Sequence, residues 1–319
     1  MIFYLVTPQH AYTMRSFLEH YGRRMAPILQ VVTYDVVARQ NTLPAGVYVF
    51  SDLDRLSQAQ RELAKQLHDL LKSHGCPVLN DPSRVLGRYD LLDALWRSGQ
   101  NRYRAWRVSE VEESVRLPVF LRLGNEHMGS LTPLIETRQD LEQVVLEAAF
   151  KGFDMDQLLV VEYLETSDAQ GLYRKYSHFN FGGALVPRHL AFSSDWQVKV
   201  ADDWSEDLDA EEWRYLHGAP HQEEALSVFA LAGVEWGRLD YSLVDGQMQV
   251  WEINTNPYLS RPPQNYRKEH LPIQQWFADR AIEQIERLNA MSPEPRPIPP
   301  GFDLSFLSSS SNFFCRSDP

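Results

Sequence analysis

The stretch Gly237-Arg-Leu-Asp-Tyr-Ser-Leu-Val-Asp-Gly-Gln-Met-Gln-Val-Trp-Glu-Ile-Asn-Thr-Asn-Pro257 reads as two strands on either side of Asp245-Gly246. Asp-Gly is a favoured two-residue hairpin turn, because both positions tolerate the positive φ that a tight link between twisted strands requires. On paired strands Asp240 and Glu252 can project their carboxylates from one face near the same place. Asn254 lies two residues beyond Glu252 and Arg238 two before Asp240, so the alternation of side chains brings both to that face. Two carboxylates and an amide oxygen form a hard-oxygen set suited to magnesium, which often keeps phosphate oxygens in its shell. A guanidinium beside them would neutralise charge developing on a transferred phosphoryl group.

Upstream, residues 1 to about 85 alternate short apolar runs with polar helical stretches: strands at 2–6, 28–33 and 47–50, helices around 11–22 and 55–73, then Pro77-Val-Leu79. In the longer helix Leu56, Leu63, Leu67, Leu70 and Leu71 recur at helical spacing. This alternation predicts a parallel sheet with helices on its faces. Asn80-Asp-Pro-Ser83 is turn chemistry, and Arg88 to Leu95 reads as a helix ending at Ser98-Gly99. A smaller unit runs from about 100 to 160, with strands at 119–123 and 158–163, a helix near 138–151 and a loop from Gly124 to Ser130. Its two glycines and small support predict few anchoring contacts for that loop. A third unit, about 161 to 290, has strands near 172–181 and 184–191, a helix at 221–232, the hairpin, and a closing helix from Gln274 to Leu288. After Met291 a Pro-rich segment and the run Ser308 to Ser311 predict an extended tail. Phe302, Phe306, Leu307, Phe313 and Phe314 would let it dock back on the body.

The 319 residues, 44% hydrophobic and 23% charged, suffice for two or three packed units. A net charge of -12, with no basic run interleaved with aromatics, argues against a nucleic-acid partner. Two cysteines, Cys76 and Cys315, are too few for a disulfide framework or a zinc cage and suit a reducing compartment, so the cytoplasm is the expected location. Met1 to Val6 is apolar but lacks a basic flank and breaks at Thr7-Pro8, which makes it a buried strand rather than a signal peptide. No run approaches the roughly 18 to 20 apolar residues of a membrane-spanning helix, so no membrane partner is expected.

Taken together, Arg-x-Asp, a hairpin and Glu-x-Asn-x-x-Pro resemble the metal-binding hairpin of ATP-grasp enzymes, and Leu231-Ala-Gly-Val-Glu-Trp-Gly237 resembles the family's approach to it. The resemblance covers roughly residues 1 to 290 and implies an α/β, ATP-grasp fold. Its parts would be an N-terminal Rossmann-like pre-ATP-grasp domain at 1–85, a linker helix and small lid subdomain at 86–160, and a C-terminal α+β metal- and nucleotide-binding subdomain at 161–290. A Pro/Ser-rich tail at 291–319 would follow. The implied cofactors are ATP and magnesium, with Asp240 binding one magnesium, Glu252 bridging two, Asn254 completing the second and Arg238 acting as the catalytic cation. Leu158 to Leu164 resembles the strand and hinge that bind the adenine edge, which assigns Glu162, Tyr163 and Leu164 there and Glu165 or Asp168 to the ribose hydroxyls.

The loop from Gly124 through Gly129 would bring backbone N–H groups to the phosphates, with Ser130 and His127 assisting. Where the family usually has lysines, on the strand before this loop and in the earlier helix, this chain has Arg122 and Arg88. A guanidinium binds phosphate but is not interchangeable with an ammonium. Arg174, Lys175, Arg188 and Lys199 fall where the family supplies further cations toward phosphate or substrate. His217-Gly-Ala-Pro-His221 has ligand-like spacing, yet Gly218 and Pro220 break the helix that would align the rings, so zinc is not expected. No Gly-x-Ser-x-Gly elbow is present, and neither cysteine has a nucleophile's local signature.

By family habit the resemblance implies a ligase that activates a small-molecule carboxylate as an acyl phosphate and joins it to an amine. The same hairpin would serve a small-molecule kinase, and the two arginines in place of lysines leave open a catalytically degenerate ATP-binding protein. Tyr258, Arg261 and Asn265 are candidates for the acceptor pocket, and a homodimer is left open.

Overall fold

The computed structural model describes residues 1–127, 129–198, 204–299 and 301. The first hundred residues form β1 (Ile2–Val6), α1 (Tyr12–His20), β2 (Leu29–Thr33), the single turn α2 (Tyr34–Val37), β3 (Leu43–Pro44), β4 (Val47–Phe50), α3 (Gln58–Ser73), β5 (Val78–Leu79) and α4 (Arg88–Arg97). β2, β1, β4 and β5 lie side by side in that order, all parallel, as the alternation of strands and helices predicts. β1 and β4 are buried at every residue, which is why both read as unbroken apolar runs. α3 opens on a capping box in which Ser57 and Gln60 bond each other's backbone N–H.

The middle unit is a three-stranded antiparallel sheet, in the order β6 (Ala105–Arg107), β8 (Leu158–Glu162), β7 (Val119–Leu123), with α5 (Arg138–Phe150) packed on it. The third unit contains β9 (Tyr173–Phe181), β10 (Ala184–Ser193), α6 (Glu206–Gly218), α7 (Gln222–Ala232), β11 (Trp236–Val244), β12 (Gln247–Asn254) and α8 (Leu271–Asn289). Its sheet is antiparallel in the order β10-β9-β11-β12. α6 breaks at Ala219 (φ 43) and His221 (φ 61). The break parts the two histidines: His217 stacks on Trp213, while His221 bonds the Tyr241 hydroxyl.

The first and third units share their cores. Phe229 and Val228 of α7 cluster with Tyr48 and Phe50 of the parallel sheet, and Phe277 and Ile285 of α8 cluster with Tyr4, Phe179 and Trp236. Asn80 (φ 66) pins the join. Its amide nitrogen donates to the carbonyls of Phe50 (2.9 Å) and Trp236 (2.8 Å), and its oxygen accepts from the N–H groups of Glu235 (2.8 Å) and Trp236 (2.9 Å).

The start of the tail turns back on the body, where β13 (Pro297–Ile298) pairs antiparallel with β3 and buries Ile298. That stretch is docked rather than free. Phe302, Phe306, Leu307, Ser308 to Ser311, Phe313, Phe314 and Cys315, like Lys199, lie outside the described residues. Among the described residues no helix is long and apolar enough to cross a membrane.

Candidate functional site

The turn of the β11–β12 hairpin is Asp245 (φ 52) and Gly246 (φ 77), both left-handed, as a two-residue turn between twisted strands requires. This turn sets the register from Val244 opposite Gln247 to Tyr241 opposite Val250. Asp240 lies directly opposite Glu252 and Arg238 opposite Asn254. Between Tyr241 and Asp240 the pairing slips by one, with Trp251 the extra residue of a β-bulge, and it is this slip that sets Glu252 rather than Trp251 against Asp240. The Trp251 ring packs against Tyr103 at 5.0 Å, and its indole N–H donates to Ser242 Oγ at 2.9 Å.

Every charge on this hairpin end has a partner. Arg238 donates from Nε and Nη2 to the two oxygens of Asp240, each at 2.8 Å. Glu252 Oε2 accepts from Nη2 of Arg88 at 2.5 Å and of Arg122 at 2.6 Å, while Oε1 lies 3.5 Å from His127 Nδ1. Burial would raise the Glu252 pKa, but Arg88, His127 and Arg122 hold it well below the usual carboxylate range. Burial and the neighbouring Arg122 push Arg88 down to about 10. His127 Nε2 sits 2.7 Å from Asp54 Oδ2, and although burial opposes its charge, Asp54 and Glu252 raise its pKa above the ordinary value.

Arg88 also threads beneath the glycine loop, donating to the carbonyls of Leu123, Gly124 (3.1 Å) and Glu126 (2.6 Å). The loop is therefore anchored, contrary to the expectation from its glycines. A buried guanidinium has five N–H donors to satisfy, and the loop's carbonyls are the acceptors within reach. Ser130 is likewise engaged, donating to Thr132 O at 2.5 Å.

Among the described residues no three or more His, Cys, Asp and Glu side chains gather as a metal cluster. The donor chemistry still fits a hard cation: two carboxylates stand opposed in register, with the Asn254 amide at the edge, its Oδ1 accepting the Asn256 N–H at 2.8 Å. Arginines now neutralise these carboxylates.

A cavity of about 360 Å³ opens against the hairpin. Its charged lining is Asp240, Glu252, Arg122, Lys175, Arg238 and His127, and Gly129 and Ser130 line it too. Its aromatic lining is Phe120, Tyr163, Tyr173, Trp196 and Trp251, with Trp196 packed against Phe120 and Tyr163. Leu164 also lines it, and the Leu164 backbone N–H and C=O have no partner among the described residues. Burial lowers the pKa of Lys175, which donates to the Val198 carbonyl. Phe120, Trp196 and Trp251 escaped sequence reasoning, and only the position of Trp251 beside Glu252 offered a signal.

Several expected residues stand elsewhere. Glu162 is buried inside the small sheet, accepting from Arg104 N, Trp106 Nε1 and the Arg116 side chain, and does not line the cavity. Glu165 accepts from the hydroxyls of Tyr163 (2.7 Å) and Tyr173 (3.2 Å) outside the lining. Asp168 pairs with Arg174 at 2.6 Å, and Arg174 with Glu211 of α6 at 2.7 Å. Strand alternation explains this: Tyr173 and Lys175 face the cavity, so Arg174 between them faces away. Gly124, Arg88, Asn254 and Arg188 do not line the cavity, and Gly124 and Arg88 instead border a smaller pocket with Asp54 and His127.

No family model and no curated protein sequence matches the chain. Solved structures do match. D-alanine–D-alanine ligase from Bacillus anthracis, complexed with ATP, is similar with a TM-score of 0.50 over 91% of this chain and 98% of that one, at 11% identity. Pyruvate carboxylase from Rhizobium etli is similar with a TM-score of 0.50 over 92% of this chain and 28% of that one, at 13% identity. A RimK domain ATP-grasp protein from Sphaerobacter thermophilus is similar at 0.45, over 88% and 98% of the two chains with 14% identity. This chain has the ATP-grasp fold. Likeness at 11 and 13% identity is likeness of fold, and an ATP-grasp fold shared by a ligase and a carboxylase does not name a reaction.

Proposed function

We propose that the chain is an ATP-dependent ligase that activates a carboxylate as an acyl phosphate and joins it to an amine. The observation that carries this reading is the opposed pair Asp240 and Glu252 in a cavity lined by both cations and aromatic rings. Adenine would lie among Phe120, Trp196 and Trp251 and pair with the Leu164 backbone, with the phosphates toward Arg122, Lys175 and Arg238. Asp240, Glu252 and Asn254 would hold magnesium, whose chemistry is to neutralise charge on the triphosphate. Arg88 and Arg122 would then exchange Glu252 for phosphate oxygens.

A carboxylate oxygen of the substrate attacks the γ-phosphorus, and the bond to the bridging oxygen of ADP breaks. The amine nitrogen next attacks the acyl carbon, phosphate leaves, and the nitrogen loses a proton. No side-chain nucleophile is needed. The small middle unit would serve as a lid that keeps water from the acyl phosphate.

Magnesium-ATP must raise the melting temperature if only the native chain binds it. Hydroxylamine tests the chemistry, because it intercepts an acyl phosphate as a hydroxamate while a phosphate ester is inert to it. Hydroxamate that depends on acid, ATP and Asp240 is the expected result across a panel of amino acids, dipeptides and short dicarboxylic acids. A stable phosphorylated hydroxyl product would replace the ligase with a kinase, and tight ATP binding with no turnover of any acid would favour a binding protein.

A further inference from the structure

The central sheet has a second β-bulge, in β10. Pro187 is opposite His178 and His189 opposite Ser177, so Arg188 is an extra residue. Ser177 is also opposite Asp240, which sets His189, Ser177 and Asp240 in one row across the sheet, with Arg188 beside it. Bulges re-aim side chains and are common beside active sites.

Arg188 is 4% exposed. Its Nη2 donates to Gln274 Oε1 at 2.8 Å and lies 3.5 Å from the Tyr266 hydroxyl, and its guanidinium stands 4.5 Å above the Phe277 ring. Nε and Nη1 are buried with no acceptor among the described residues. Glu212, the acid whose charge reaches it, is already bonded to His270 at 2.9 Å. The other two deeply buried arginines among the described residues, Arg88 and Arg122, both hold Glu252. Arg188 alone of the three lacks a carboxylate.

Two further hydroxyls are also buried without partners, those of Tyr21 and Ser260. Burial raises the Tyr21 phenol and Arg188 pulls it back, so the two groups are within electrostatic reach. Ser260 precedes Arg261, whose N–H donates to the Tyr266 hydroxyl at 3.0 Å and whose side chain lines the cavity. A buried guanidinium is unfavourable unless an anion and hydrogen-bond acceptors meet it. Unpaired buried donors on Arg188, in the sheet whose neighbouring strands carry Lys175 and Arg238, leave the missing acceptor to a ligand.

Building on the ligase reading, we infer that Arg188, with Tyr266, Tyr21 and Ser260, receives a second carboxylate of the substrate acid, which is therefore a short dicarboxylate. One carboxylate lies toward Arg238 and is activated, and the other is held by Arg188 and orients the molecule.

Full-length wild type, Arg188→Met and Arg188→Lys are compared by thermal shift with chloride, inorganic phosphate, acetate, succinate, glutarate and glutamate at matched ionic strength. Each is measured with and without magnesium and a non-hydrolysable ATP analogue. The dicarboxylates should raise the wild-type melting temperature beyond acetate, chloride and phosphate. Arg188→Met should lose that rise and Arg188→Lys recover part of it, while the nucleotide shift is equal in all three. Without ligand Arg188→Met, relieved of an unpaired buried charge, should melt no lower than wild type. A wild type indifferent to dicarboxylates, or Arg188→Met that keeps their effect, overturns the inference. Phosphate as effective as the dicarboxylates transfers the site to inorganic anions, and an Arg188→Met that melts well below wild type makes Arg188 structural. A nucleotide shift absent from all three proteins would remove the ATP reading instead, with the dicarboxylate arms still deciding Arg188.

Discussion

Glu252→Gln removes one negative charge from a cluster in which it meets Arg88 at 2.5 Å, Arg122 at 2.6 Å and His127 at 3.5 Å. The four side chains are 12%, 3%, 11% and 11% exposed, so water screens them weakly. Breaking a buried ion pair by removing one partner costs about 3–5 kcal/mol, because the other charge is stranded. Arg88 keeps its loop carbonyls and His127 keeps Asp54, so the low end, about 3 kcal/mol, is expected. For 319 residues, at about 2.1 cal/mol/K of unfolding entropy per residue, that is a fall of roughly 4–5 °C in melting temperature. The assay is circular dichroism on protein free of nucleotide and metal, across about pH 3 to 8.

The folded Glu252 pKa lies well below its ordinary 4.5, so its stabilisation is complete above about that pH and disappears as pH falls through the folded value. His127 has the opposite sign: its folded pKa is raised above 6.5, so its stabilisation is complete below 6.5 and fades as pH rises through the folded value. The gap between wild type and variant should therefore be widest between about pH 4.5 and 6.5. A gap under about 2 °C, or one that grows in acid, refutes the reasoning. Pairing the change with Arg122→Gln should cost less than the sum of the single changes, because the two residues touch.

Asp240→Asn should keep the circular dichroism spectrum yet abolish magnesium-dependent ADP release, and normal turnover would reduce the hairpin to a structural role. Gly246→Ala places a Cβ at φ 77 with no atom within 4 Å, so backbone strain alone should cost about 1–2 kcal/mol, read as a lower denaturant midpoint. Asn80→Ala deletes four hydrogen bonds, three of them across the join of the two larger units, and should cost about 2–4 kcal/mol. An unchanged midpoint would mean that the shared cores hold the join without it.

Much of the fold was legible because its signals are local. Residues 2–6, 47–50 and 119–123 are strands within the bounds read from their apolar runs, and α3, α5 and α8 follow their helical spacing. β3, β6 and β13, of two or three residues, are too short to carry a period and exist because a partner strand is already in place. The acidic stretch of α6 carried no clear apolar stripe, and its helix was missed.

The sequence by itself determined the site's chemical inventory and the pairing of the two strands that carry its centre. Asp245-Gly246 admits one tight turn, which sets the register as far as Tyr241 opposite Val250; continued, that register would put Asp240 against Trp251, and the bulge at Trp251 is what brings Asp240 against Glu252. Tertiary structure decided where the other charges act. Glu162, Arg174 and Arg188 were all read toward the nucleotide, but Glu162 bonds inside the small sheet, Arg174 faces α6, and the β10 bulge places Arg188 beside Gln274 and Phe277. Arg88 and Arg122 converge on Glu252 from residues 164 and 130 positions away. Turn and strand chemistry act between neighbours along the chain. A guanidinium or carboxylate at the end of a long side chain bonds whatever packing brings within about 3 Å, and that partner is known only once the sheets and helices have met.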